Sequence, residues 1–216
     1  MDVVIAGEDG SIIRCHEAGS SGPGVILLHP WWGLTRDITE MADRLGGEGF
    51  RVIAPDLFEG RTADTPEEAE KLVTLADPKW ERLLSDAERA VGHLKAQGVQ
   101  RVAAVGLSFG AAYAVLLATR GRVDAAVLYY GTAGLEEEDR LPLPVLGHFA
   151  DDDPYEPDGG EAFFQVLQRV GASTEHHRYP GTYHWFAEPS NSHYQREVAE
   201  AAWVRTASFL HRTLGE

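Results

Sequence analysis

The sequence predicts an α/β fold: one domain over residues 1–216, built on a mostly parallel central sheet with helices on both faces and no large cap domain. Three observations carry that expectation. Short apolar runs alternate with helical patterns from about residue 24 onward, as strands buried on both faces do when helices cover them. No internal repeat or low-complexity linker interrupts the alternation. At 216 residues, 44% hydrophobic and 25% charged, the chain can bury roughly 70% of the surface its unfolded form exposes, so a core needs neither disulfides nor structural metal.

The elements follow in order. Val3 to Ala6 and Ile12 to Glu17, joined by Gly7-Glu8-Asp9-Gly10, read as an antiparallel hairpin at the sheet edge. Six further strands are expected at Val25 to His29, Val52 to Ala54, Val102 to Gly106, Ala125 to Tyr129, Val145 to Phe149 and Thr174 to Tyr179. Between them, Trp80, Leu83, Leu84, Ala87, Val91 and Leu94 recur at helical spacing and predict one apolar stripe packed on the sheet, with Asp77 and Pro78 marking its start. Other helices are expected over Ile38 to Gly46, Phe109 to Thr119, Glu161 to Val170 and Tyr194 to Leu214. Phe58 to Ala76 is polar and acidic and reads as a surface excursion too short to be a large lid, which predicts a shallow, open site.

The sharpest chemical signal is Gly106-Leu107-Ser108-Phe109-Gly110, at the junction of a strand and an Ala-rich helix. This is a Gly-x-Ser-x-Gly nucleophile elbow in the context it requires. The turn holds the serine in a strained conformation, and a side chain at Gly106 or Gly110 would meet the crossing backbone. A capping serine in a glycine-bounded turn is the bland alternative, and the flanking strand and helix argue against it. Because a serine hydroxyl is a poor nucleophile without a base, the elbow calls for a later acid and then a histidine. One strand runs into Asp151-Asp152-Asp153 and the last into Gly181-Thr182-Tyr183-His184, both at the carboxyl edge where open α/β sheets place ligands. Any of the three aspartates could orient an imidazole. Two backbone N–H groups should hold the oxyanion: Phe109, and Trp31 in His29-Pro30-Trp31-Trp32-Gly33, where Pro30 has no N–H to give. His29 and His148 are read as structural, and the adjacent His176 and His177 point to opposite faces and cannot share a metal.

With these pieces in place, the chain resembles the dienelactone hydrolase family of α/β-hydrolases from about Val25 to the C-terminus. The matching residues are Leu28-His29-Pro30-Trp31-Trp32-Gly33, Ile53-Ala54-Pro55-Asp56-Leu57-Phe58, the elbow, Gly147-His148-Phe149 with Asp153 and Pro157, and Tyr179-Pro180-Gly181 with His184-Trp185-Phe186. The resemblance implies the α/β-hydrolase fold, selects Asp153 as the acid and places the second oxyanion N–H at Trp31. It also marks departures. Ser108 stands where the namesake enzymes carry a cysteine, Pro30 where they carry a glutamate, and Glu188 where an arginine helps bind the substrate carboxylate. Losing that cation for an acid disfavours a carboxylated lactone.

The expectation is therefore a serine hydrolase of small carboxylic esters or lactones, with Ser108, Asp153 and His184 as catalytic residues, Trp31 and Phe109 as the oxyanion hole, and Trp32, Tyr130 and Trp185 as substrate-binding walls. Alternatives are an acyltransferase or thioesterase with the same residues, or a non-catalytic binding module of the same fold. No cofactor and no metal is called for. With 19 Lys and Arg against 34 Asp and Glu, a net charge of -15 repels polyphosphates, so nucleic acid is not an expected partner. No apolar run spans a bilayer and no signal peptide is read at the N-terminus. The single cysteine, Cys15, suits a reducing cytoplasm. A monomer or homodimer is expected.

Overall fold

The central strands of this chain are recognisable because they are apolar along their length, and in the computed structural model they are buried on both faces. The structure describes residues 1–7, 10–136 and 138–215. An eight-stranded sheet runs in the order β1-β2-β4-β3-β5-β6-β7-β8. Its strands are β1 (Asp2–Ala6), β2 (Ile12–Ala18), β3 (Gly24–Leu28), β4 (Arg51–Pro55), β5 (Val102–Leu107), β6 (Ala125–Tyr129), β7 (Pro144–Asp152) and β8 (Ser173–Tyr183). The first two form the edge hairpin, with Val3 opposite Cys15 and Ile5 opposite Ile13, and β2 pairs antiparallel with β4. All other pairings are parallel. Glu8 and Asp9 of the expected turn lie outside the described residues.

Successive side chains of a strand point to opposite faces, and the core divides accordingly. Ile26, Leu28, Ile53 and Ala104 pack with α3 (Trp80–Ala96), α4 (Phe109–Thr119) and α5 (Glu161–Arg169). Val25, Leu27, Val52, Val105 and Tyr129 pack with α1 (Arg36–Gly47) and α6 (Arg196–Leu214). Within α3 the apolar stripe buries Leu83, Leu84, Ala87, Val91 and Leu94, worth about 1.5–3 kcal/mol for each large side chain removed from water. Trp80 does not belong to that stripe. It is 44% exposed, at the first residue of the helix, ahead of the buried turn that starts at Leu83.

The excursion after β4 also departs from the sequence reading. It contains a further helix, α2 (Pro66–Ala76), joined to α3 by one 3-10 turn at Asp77–Lys79. Thr65 caps it by accepting the Glu68 N–H at 3.3 Å, Glu68 reaches back to accept the Asp64 N–H at 3.1 Å, and Pro66 fills the first turn, where no N–H is needed. Pro78 therefore lies in a tightened turn between two helices rather than at a free helix start.

The strand order fixes where a site can form. From β3 the chain moves outward to β4 on one side, while β5 pairs on the other and the sheet then grows away from it. The crevice beyond the carboxyl ends of β3 and β5 is thus the topological switch point, the place where open α/β sheets bind ligands.

Candidate active site

Ser108 sits at that crevice, between β5 and α4. Its backbone is in the left-handed half of conformational space, φ 49° and ψ -114°, a strain costing on the order of 1–3 kcal/mol. The flanking glycines make the turn possible. A Cβ on Gly106 would fall 2.4 Å from the Gly110 carbonyl oxygen, and one on Gly110 would fall 2.2 Å from that of Leu28. Gly131, after β6, is as tightly placed: its Cβ would lie 2.5 Å from the Ser108 carbonyl oxygen. Sequence reasoning passed over Gly131, whose bareness lets a second loop close on the serine.

Three side chains from three strand ends join in one hydrogen-bonded chain. His184, in the turn that follows β8, has Nε2 2.9 Å from Ser108 Oγ and Nδ1 2.7 Å from Asp153 Oδ2. The Asp153 side chain is wholly buried, and its other oxygen accepts the N–H groups of Tyr155 at 2.9 Å and Glu156 at 3.2 Å. Those bonds fix the carboxylate so that Oδ2 faces the imidazole, which makes the serine-side nitrogen the available base. Asp151 and Asp152 are exposed, and Asp151 pairs with Arg178 at 2.9 Å. A bulge separates the pairs Ala150/Tyr179 and Asp152/Tyr183; it carries the end of β8 out to His184.

Trp31 follows β3 in a turn closed by the Gly33 N–H donating to the Pro30 carbonyl at 3.1 Å. In such a turn the N–H of the second residue is not used internally. Phe109 opens α4, so its N–H has no acceptor within the helix. His29 holds the Trp31 loop from below. Its Nε2 accepts the Leu57 N–H at 3.1 Å, which leaves Nδ1 to donate to the Pro30 carbonyl at 2.7 Å, and burial lowers its pKa. His148 is equally buried, bonded to Tyr179 and Thr206, with its pKa pushed down by burial. His177 stacks on His148 and His176 on Phe164, on opposite faces of the sheet. Among the described residues, no three His, Cys, Asp or Glu side chains converge as a metal site requires. Cys15 is buried in β2, and burial pushes its thiol up to about 12, so it stays protonated.

A cavity of about 440 Å³ opens beside Ser108 and His184. Of the three expected walls, Tyr130 and Trp185 line it and Trp32 does not. Trp32 stands behind, its ring 5.2 Å from that of Trp31 and 5.3 Å from that of Trp185, and it supports the true wall, Trp31. Trp80, Tyr113, Thr132, Tyr155 and Glu156 complete much of the lining; Thr132, Tyr155 and Glu156 lie on loops, where no periodicity marks them, and the helical spacing of Trp80 pointed to the core instead. Tyr155 and Trp80 are about half exposed and stand at the rim, so the site is open. The indole nitrogens of Trp31 and Trp185 are buried without a partner among the described residues. Tyr130 packs 4.8 Å from the His184 ring and donates its hydroxyl to Glu188 at 2.8 Å. Glu188 is not on the cavity wall. It is sealed beneath Tyr130, and burial, reinforced by Asp37, raises its pKa to about 8 against the relief given by Tyr130.

The comparisons with known proteins place the chain in a family. A family profile described as "Dienelactone hydrolase family" matches residues 10–214. The chain is 30% identical over 230 residues, covering 97% of each chain, to an Azospirillum brasilense protein provisionally named a carboxymethylenebutenolidase. It is 28% identical over 210 residues to the carboxymethylenebutenolidase of Pseudomonas putida, covering 89% of this chain and 87% of that one. Its backbone matches that of a dienelactone hydrolase-like promiscuous phosphotriesterase from metagenomic libraries with a TM-score of 0.83 at 20% identity, covering 100% of this chain and 98% of that one. The fold is accordingly that of the α/β-hydrolases, and the chain belongs to the dienelactone hydrolase family and is a carboxylic ester hydrolase.

Proposed function

We propose that the chain hydrolyses small carboxylic esters or lactones through Ser108, His184 and Asp153. The observation that carries this reading is the bond pair at His184, 2.9 Å to the serine hydroxyl and 2.7 Å to the aspartate. His184 Nε2 takes the Ser108 proton as Oγ attacks the carbonyl carbon, and Asp153 stabilises the imidazolium that forms. The N–H groups of Trp31 and Phe109 receive the developing oxyanion, each such donor being worth on the order of 100-fold in turnover. The tetrahedral adduct collapses, the alcohol leaves with the proton from His184, and an acyl-serine remains. Water then gives its proton to His184 and attacks the acyl carbon, which releases the acid and returns the proton to Ser108. In a lactone the alcohol stays tethered to the acyl chain.

Intact-protein mass spectrometry after incubation with a fluorophosphonate, followed by peptide mapping, tests the assignment. A single adduct on Ser108, absent from Ser108→Ala together with esterase activity, is expected. An active Ser108→Ala variant would overturn it.

A further inference from the structure

We infer that the cavity beside Ser108 selects esters carrying an organic cation, a quaternary or protonated ammonium group, and that Glu156 determines this preference. The inference rests on the ester-hydrolase reading above. Among the described residues lining the cavity there is no Lys or Arg, and the carboxylate on its wall is that of Glu156. Glu156 is half-buried and accepts the Thr132 hydroxyl at 2.8 Å. Thr132 follows Gly131, where a Cβ would fall 2.5 Å from the Ser108 carbonyl oxygen, and the carboxylate shares the cavity wall with Ser108, within reach of a substrate bound there. Its backbone N–H is spent on Asp153, which fixes the start of its side chain.

The rest of the wall suits the same ligand. Trp31, Tyr155 and Trp185 form a connected aromatic group, with Trp31 and Trp185 stacked at 5.6 Å and Tyr155 5.7 and 5.6 Å from them. Aromatic faces beside a carboxylate attract alkylammonium groups and offer nothing to a carboxylate. The indole N–H groups of Trp31 and Trp185 are buried and bring no positive charge that would offset a second negative one. The net charge of -15 favours the approach of cations over anions to the protein as a whole.

The test uses two sets of esters, because the charge can sit in either half of the substrate. One set is the acetate esters of choline, of its uncharged tert-butyl isostere and of glycolate, an anion. The other is the methyl esters of a trimethylammonium butanoate, of its tert-butyl isostere and of glutarate as the half-ester. The wild-type protein should show kcat/KM highest for the cation and lowest for the anion in at least one set. The cation should be favoured over its isostere by about tenfold, the size expected for one carboxylate a few ångströms away in a partly screened site. Glu156→Gln should bring that ratio to near one, and a ratio taken within one preparation does not depend on how much of it is folded. Equal rates in both sets, a preference for the anion, or a cation preference that survives Glu156→Gln would overturn the inference. Fluorophosphonate labelling of the wild type separates the two levels: labelling without charge preference sinks only the inference, whereas no labelling sinks the hydrolase reading with it.

Discussion

Replacing Glu188 by glutamine should make the protein markedly more stable in alkaline solution and leave it nearly unchanged in acid. Glu188 is sealed under Tyr130 with its pKa raised to about 8 from the ordinary 4.5. In the unfolded chain the side chain loses its proton near the ordinary value, whereas the folded chain keeps it until about pH 8. Folding therefore takes up a proton between these limits. The group's favourable contribution is fully present below the unfolded value and is lost as pH rises through the folded one. At about 1.4 kcal/mol per tenfold change in proton affinity, the full span amounts to on the order of 3–5 kcal/mol. The substituted amide has no proton to lose and its oxygen still accepts the Tyr130 hydroxyl, so the Glu188→Gln variant escapes the cost. Urea unfolding of both proteins at about pH 5 and about pH 9 measures it. The midpoints should differ little in acid, and the variant should be the more stable by a few kcal/mol in alkali. Parallel pH profiles for the two proteins would refute the reasoning, since Glu188 would then ionise in the fold as it does in the open chain.

Gly110→Ala should lose about 2–4 kcal/mol in thermal unfolding and fail to label with a fluorophosphonate, because its Cβ would enter the Leu28 and His29 carbonyls at 2.2 and 2.7 Å and drive α4 off β3; unchanged stability would refute the close-approach account of the elbow. Thr65→Ala removes the cap of α2 and should cost about 1 kcal/mol, seen as faster hydrogen exchange of the α2 amides. If those amides exchange as in the wild type, the cap does not hold the helix.

Most of the strand framework was legible in the sequence, because β3, β5 and β6 are buried along their whole length and read as apolar runs. Ser108 stands at the end of one such run, whereas β7 and β8 alternate or end in polar residues, and Asp153 was separated from Asp151 and Asp152 by the family resemblance alone. The cavity wall was not legible in the same way. Trp32 and Trp31 are neighbours of the same type, and only the turn at Pro30 decides that Trp31 faces the serine. Thr132, Tyr155 and Glu156 lie on loops, whose course no periodicity records. The helix at Pro66–Ala76 could have been found: Thr65-Pro66-Glu67-Glu68 is a capping sequence, masked by the acidity of the segment around it.

The loop after β7 joins two duties in four residues. The N–H groups of Tyr155 and Glu156 orient Asp153, while the side chains of the same two residues shape the cavity. Any side chain but proline can stand there without loss of the bonds to the aspartate, since those are made by main-chain N–H groups. An inserted or deleted residue would turn the carboxylate away from His184. Divergence in substrate range should therefore proceed through replacements at 155 and 156 at constant loop length, with related chains differing in residue type at these positions and agreeing in the distance from Asp153 to them.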